Sequence, residues 1–121
     1  WYVYYAAGDG AGTAADPYPS QRTFVLENEH ADPTRGTWTD RGRLATPGPD
    51  TWAIDGTVLE HAGRRYFVWS GRTAAHDGDQ HLYVAAMANP WTLAGDRVLL
   101  SSPEQAWERA GRSGVNEGPQ V

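Results

Sequence analysis

Residues 65–71 read RYFVWSG and are followed at 79–102 by DQHLYVAAMANPWTLAGDRVLLSS. An earlier copy of this pattern reads WYVYYAAG at 1–8 and QRTFVLENEHADPTRGTWTDRGRLAT at 21–46. The offset between the copies shrinks from 64 to 53 residues along the match, because their loops differ in length. The copies align at Tyr2 with Tyr66, Phe24 with Tyr83, Asp32-Pro33 with Asn89-Pro90, and Trp38 with Trp91.

The repeat is built from short β-branched and aromatic runs separated by Gly and Pro, which is typical of strands. The predicted strands are residues 1–7, 22–27, 56–61, 65–70 and 81–87, with weaker ones at 38–44 and 97–100. Only residues 103–109 indicate a helical turn, and no segment keeps the 3.6-residue period of a helix. The predicted fold class is therefore all-β.

Four short strands per unit, repeated at roughly 40 to 60 residues, are typical of the blades of a β-propeller. The second unit begins at Gly56 and has four strands, whereas the first lacks an innermost strand, which is expected before Trp1. A third unit begins at Asn116, so the chain is predicted to cover roughly two blades. A β-sandwich with two similar hairpins is the alternative. Both ends look cut, and we expect an internal piece of a longer protein.

Composition excludes several classes of function. The net charge is −5, and the ten basic residues are all scattered arginines, which argues against a nucleic-acid surface. There is no cysteine, which excludes disulfides and cysteine-based zinc sites. No apolar run approaches the roughly 20 residues needed to span a bilayer. We therefore expect no nucleic-acid partner and no membrane partner.

Two acidic residues stand where blades begin: Asp55 in TWAIDGTVLEH (51–61) and Glu117 in SGVNEGPQV (113–121). Innermost strands line the central channel of a propeller, so their starts converge on one mouth. Apolar neighbours and a tight turn predict partial desolvation, which keeps a carboxyl protonated to higher pH. A protonated carboxyl can donate to a leaving-group oxygen. Glycoside hydrolysis needs such an acid and a second carboxylate.

Each candidate has a plainer interpretation. Asp55-Gly56 is also a common turn pair, and Glu117 is also consistent with a solvated loop. Glu27 and Glu29 follow a strand and are interpreted as surface residues. The four histidines show no HExxH spacing that would predict a metal site. Tryptophan faces either stack on sugar rings or pack in the strand core, and composition alone leaves both open.

The segments WYVYYAA, VLENEHADPTRGTWTD, WAIDGTVLEH, YFVWSG, LYVAAMANPWTL and VNEGPQV, in this order, resemble family 43 of the glycoside hydrolases. The resemblance runs from Trp1 to Val121, and AID and NEGP are its most specific parts. The run AMANPWTLAGDRVLLSSPEQAWER at 86–109 is most similar to the exo-acting α-L-arabinofuranosidase members. The resemblance implies a five-bladed propeller, with residues 1–121 as a partial catalytic domain truncated at both ends.

The resemblance also implies an inverting mechanism that uses three acids. Glu117 matches the general acid, and Asp55 matches an Asp that orients the acid and tunes its pKa. The third acid, an Asp base, is expected upstream of Trp1. Ile54 matches an apolar residue that lines the sugar site, and Trp52 is a candidate for stacking on substrate, with packing as the alternative. No metal or cofactor is assigned, because the family's central ion site lies in later blades.

The function implied by the resemblance is release of α-L-arabinofuranosyl units from plant cell-wall arabinan or arabinoxylan, outside the cell. A β-xylosidase or an endo-arabinanase of the same family is one alternative. A non-catalytic propeller that binds carbohydrate is another. The partner is then an arabinose- or xylose-containing oligosaccharide or polysaccharide. The isolated 121-residue chain is expected to be inactive without the base.

Overall fold

The computed structural model of the chain describes residues 1–10, 12–13, 19–74, 78–111 and 113–121. These residues form seven strands and one short 3-10 helix. The elements are β1 (Tyr2–Ala7), β2 (Arg22–Glu27), β3 (Thr39–Arg43), β4 (Ala53–His61), β5 (Arg64–Gly71), β6 (His81–Asn89), β7 (Thr92–Ser101) and the 3-10 turn Ala106–Arg109.

The strands form two antiparallel sheets in which every hydrogen-bonded neighbour is also the next strand along the chain. One sheet has the order β1-β2-β3, and the other has the order β4-β5-β6-β7. The first sheet repeats the last three strands of the second, as the alignment of the two copies predicts. The all-β class is confirmed. The 3-10 turn is far shorter than a membrane span, and no described helix is long and apolar enough for one.

Local sequence explains where the observed strand bounds agree with the prediction and where they do not. Strand β2 matches the predicted 22–27. Strand β4 begins at Ala53 instead of Gly56, because its pairing with β5 continues across a register shift between Ile54 and Thr57. Strand β7 begins at Thr92 instead of Arg97, and it passes through Gly95 at φ 74°. Gly56 and Gly95, which in the sequence indicate breaks between strands, thus lie inside strands that contain bulges.

The core lies between the two sheets, which pack face to face. The Tyr4 ring of β1 lies 5.1 Å from that of Phe67 on β5, and the Tyr4 hydroxyl donates to the Pro90 carbonyl at 2.7 Å. Burial raises the pKa of Tyr4 to about 12, so this hydroxyl stays a donor at neutral pH. The fully buried cluster comprises Val25, Leu44, Ala53, Phe67, Trp69, Tyr83 and Ala85. Each sheet thus covers an apolar face of the other, as neighbouring repeats do.

The interpretation of Glu27 as a surface residue is wrong. Glu27 is only 6% exposed and accepts hydrogen bonds from the Tyr2 hydroxyl at 2.7 Å and from Arg41 Nε at 2.6 Å. These two donors hold the pKa of Glu27 below its usual range. Thr23, Val25 and Glu27 alternate on the buried face of β2. The alternation of buried and less buried side chains along β2 therefore includes Glu27, although its charge suggested a surface position.

Substitution of Gly56 by Ala is expected to destabilise the fold strongly. A Cβ at this position would lie 1.9 Å from Cζ of Phe67, which is fully buried. Overpacking of this kind costs about 1–3 kcal/mol. The midpoint of urea unfolding reports the loss. Gly111→Ala is the matched control, since its nearest neighbour would be 3.9 Å away. Equal midpoints for the two variants would contradict the packing argument.

Candidate active site

Asp55 lies inside strand β4 and not in a turn. Its φ is 55°, a left-handed conformation that is uncommon for residues other than glycine and least costly for Asn and Asp. The pairing of β4 with β5 shifts register between Ile54 and Thr57, so Asp55 and Gly56 occupy a bulge. Bulges re-aim side chains and occur preferentially beside functional sites. The structure therefore excludes the common-turn interpretation of Asp55-Gly56.

The segment that carries Glu117 is attached to the sheet just before β6 begins. Gln80 N donates to the Gly114 carbonyl at 2.9 Å, and Asn116 N donates to the Gln80 carbonyl at 3.0 Å. Gln80 and Val115 form a short parallel bridge. The chain thus returns from the outer strand β7 to the sheet end where β4 starts and β5 finishes.

Asp55 and the Glu117 segment meet through a hydrogen bond. The Gly118 amide donates to Oδ2 of Asp55 at 3.3 Å, across 63 residues of sequence. This is a long bond, at the weak end of the normal range. It nevertheless places the residue after Glu117 against Asp55. The two motifs that sequence analysis singled out are therefore neighbours at one end of the second sheet.

Both acidic residues are exposed in this chain. The expected partial desolvation by Ala53, Ile54 and the Gly-Pro turn is therefore not met by the residues described. Two carboxyl groups that face solvent at one site are accessible to a substrate.

Ile54 and Trp52 flank the start of β4 in different ways. Ile54 is half-buried, pairs with Ser70 across the sheet and immediately precedes Asp55. Trp52 is only 6% exposed, and Cζ of Arg72 lies 4.7 Å from its ring centroid. A face covered by a guanidinium is closed to a sugar ring. The structure therefore favours the packing interpretation of Trp52 over stacking on substrate.

A set of polar residues that no sequence motif indicated holds the Glu117 segment. Ser70 is fully buried, and its hydroxyl donates to the Asn116 carbonyl at 2.9 Å. Asn116 Nδ2 donates to Ser101 Oγ at 2.8 Å. One sequence signal was available: Ser70 is a small polar residue that follows the apolar run of β5. A buried hydroxyl requires a hydrogen-bond partner, and at the end of a strand that partner can come from another segment of the chain.

In the described part of the chain, no three His, Asp or Glu side chains are grouped as ligands for a metal ion. His81, at the start of β6, has Nδ1 3.1 Å from the Ser102 hydroxyl, and its ring lies 6.2 Å from that of Tyr83. Through these contacts His81 packs within the second sheet.

Two packed meander sheets, with an acidic bulge at the start of the inner strand β4, define two neighbouring blades of a β-propeller. The chain belongs to family 43 of the glycosyl hydrolases, whose model matches residues 1–121. The resemblance found in the sequence is thereby confirmed.

The similar proteins are all named as α-L-arabinofuranosidases. An extracellular exo-α-(1→5)-L-arabinofuranosidase of Streptomyces chartreusis is 42% identical over 98% of this chain and 34% of its own length. An α-L-arabinofuranosidase of Humicola insolens is 38% identical over 100% of this chain and 24% of its own length. A solved α-L-arabinofuranosidase from Lactobacillus brevis superposes with TM-score 0.80 at 37% identity, over 89% of this chain and 34% of that one. The chain thus spans a quarter to a third of these relatives.

Proposed function

We propose that these 121 residues are part of an inverting, exo-acting α-L-arabinofuranosidase built as a five-bladed propeller, of which they form about two blades. The observation that carries the proposal is the hydrogen bond from the Gly118 amide to Asp55. It joins the two acidic motifs at one end of the sheet, where the catalysis would require them. The assignment of arabinofuranose as the sugar is supported by the names of the relatives.

In this proposal Glu117 is the general acid. Its proton passes to the glycosidic oxygen as the bond from that oxygen to the anomeric carbon breaks, so that the leaving sugar departs as a neutral alcohol. A carboxylate at Asp55 close to the acid would disfavour its ionisation, which is the tuning role proposed for Asp55. Asp55 also orients the Glu117 segment through the Gly118 amide. Ile54 would contact the sugar at the same end of β4.

The second half of the reaction requires a base that lies outside these residues. Inversion needs a carboxylate that deprotonates a water on the opposite face of the sugar ring. The acid and the base are then roughly 6.5–9.5 Å apart, which leaves room for that water. An Asp on the first innermost strand, which would precede β1, is the proposed base.

We infer that the substrate is an arabinose-containing polysaccharide, α-(1→5)-linked arabinan in the first place, and that the enzyme acts outside the cell. The support comes from the Streptomyces relative, whose name states both properties. Arabinoxylan side chains and xylose-containing oligosaccharides are further candidate substrates. Enzymes that act on these substrates differ in the loops around the channel mouth and in blades outside these residues.

The test is product analysis with the full-length hydrolase and α-1,5-arabinotriose. NMR recorded within the first minutes is expected to show single arabinose units released as the β-anomer, because one displacement inverts the α-linkage. Longer fragments would indicate an endo-arabinanase, and turnover of xylobiose alone would indicate a β-xylosidase. Binding without any turnover would identify a non-catalytic propeller. The 121-residue chain alone serves as the inactive control.

A further inference from the structure

We propose that Ser70 is a positioning residue for Glu117 and acts through the backbone of Asn116. The inference rests on the proposed function of Glu117 as the general acid. Ser70 lies near the end of β5 and is fully buried, yet its hydroxyl leaves its own sheet to donate to the Asn116 carbonyl at 2.9 Å. A second contact, of 3.3 Å, joins the same hydroxyl to Oε1 of Gln80.

Asn116 is held at three points by three separate elements. Its amide donates to the Gln80 carbonyl at 3.0 Å, just before β6. Its carbonyl accepts from Ser70 on β5, and its side chain donates to Ser101 at the end of β7 at 2.8 Å. We call the residues Ser70, Gln80 and Ser101 the Asn116 clamp. Two strands of one sheet, β5 and β7, and the residue just before β6 thus fix the residue that precedes the acid.

The bond from Ser70 has the most direct effect on Glu117. A peptide unit is planar, so the Asn116 carbonyl and the Glu117 amide lie in one rigid plane. Fixing the carbonyl oxygen therefore fixes the direction in which the chain enters Glu117. On the other side, the Gly118 amide is held by Asp55. Glu117 is the one residue between two anchored peptide groups, and its side chain is the part left free to reach a substrate.

Gly118 contributes the matching constraint downstream. Its φ is 63°, a conformation that glycine adopts readily, and a Cβ there would meet nothing within 4 Å. Pro119 follows, and proline restricts the residue that precedes it. The bond from the Gly118 amide to Asp55 is what fixes the direction in which the backbone leaves Glu117. The Asn116 clamp and the Gly118–Asp55 bond together hold the backbone on both sides of an exposed acid that lies outside any strand.

Loss of the Ser70 hydroxyl is expected to move the acid without removing it. A displacement of about 1 Å at a catalytic group can cost up to a hundredfold in rate. The loss applies only where proton donation limits the reaction. A sugar leaving group needs that proton, whereas dinitrophenolate departs without it. The substrate dependence of the loss therefore separates positioning of the acid from general destabilisation, which lowers both rates equally.

The experiment compares Ser70→Ala, Ser101→Ala and Ser102→Ala in the full-length hydrolase, using α-1,5-arabinotriose and dinitrophenyl α-L-arabinofuranoside. For Ser70→Ala we expect kcat on arabinotriose to fall about tenfold with KM within about twofold. The rate on the dinitrophenyl substrate is expected to stay within about twofold. Ser101→Ala should show the same split with a smaller loss, because Ser101 holds only the side chain of Asn116.

Ser102→Ala is the matched control, since the Ser102 hydroxyl contacts His81 and, within the described part of the chain, makes no hydrogen bond to Asn116. It is expected to leave both rates unchanged. Equal losses on the two substrates for Ser70→Ala, or no loss on either, would overturn the inference. Where Ser70→Ala does not fold, the split for Ser101→Ala decides. Should Glu117→Gln itself show no dependence on the leaving group, the proposed function fails first.

Discussion

Glu117→Gln in the full-length hydrolase is expected to lower kcat on α-1,5-arabinotriose by about 10²–10⁴-fold, the usual contribution of a general acid. The amide keeps the size of the side chain but has no acidic proton, so the departing oxygen would leave as an alkoxide. Activity on dinitrophenyl α-L-arabinofuranoside is expected to stay close to that of the wild type. Steady-state kinetics on the two substrates measure both effects.

The matched control for this variant is Glu104→Gln, which removes another exposed carboxylate on the link between β7 and Asn116. Within the described residues, Glu104 makes no hydrogen bond to Asp55, and the variant is expected to be fully active on both substrates. Equal losses on both substrates for Glu117→Gln would remove the acid assignment. A wild-type rate on arabinotriose would remove it as well.

Much of the architecture could be predicted because the strand signal in this chain is local. Runs such as residues 65–70 are apolar and β-branched or aromatic, and Gly or Pro separates them. The repeat then predicted the number and order of strands in each sheet. Asp55 and Glu117 were identified as a pair because equivalent positions of a repeat occupy equivalent positions in space. The hydrogen bond between Gly118 and Asp55 agrees with that reasoning.

The features that sequence analysis missed depend on non-local contacts. The Asp55–Gly56 bulge depends on Phe67, whose ring occupies the space of a Cβ at Gly56. Glu27 is buried because Tyr2 and Arg41 supply donors from neighbouring strands. Strand periodicity read from a local window does not show such contacts, and Tyr2 and Glu27 are 25 residues apart. The same holds for Ser70 and Asn116, which are 46 residues apart.

Asp55→Asn is expected to separate the electrostatic role of Asp55 from its structural one. Asparagine retains a carbonyl oxygen that can accept the bond from the Gly118 amide, so the position of Glu117 is preserved. The negative charge is lost, and with it the repulsion on which the proposed tuning role of Asp55 depends. Since the reaction needs the protonated acid, the proposed tuning role predicts that the basic limb of the pH–rate profile moves to lower pH.

Two comparisons make this result specific to Asp55. Asp96→Asn removes an exposed charge from β7 and is expected to leave the pH–rate profile unchanged. Asp55→Ala removes both the charge and the acceptor, so it should shift the basic limb and also lower the maximum rate on arabinotriose. The acidic limb reports the base and should stay in place in all three variants. A basic limb that does not move in Asp55→Asn would show that Asp55 acts through the Gly118 bond alone, because charge is the property that distinguishes Asp from Asn at this position.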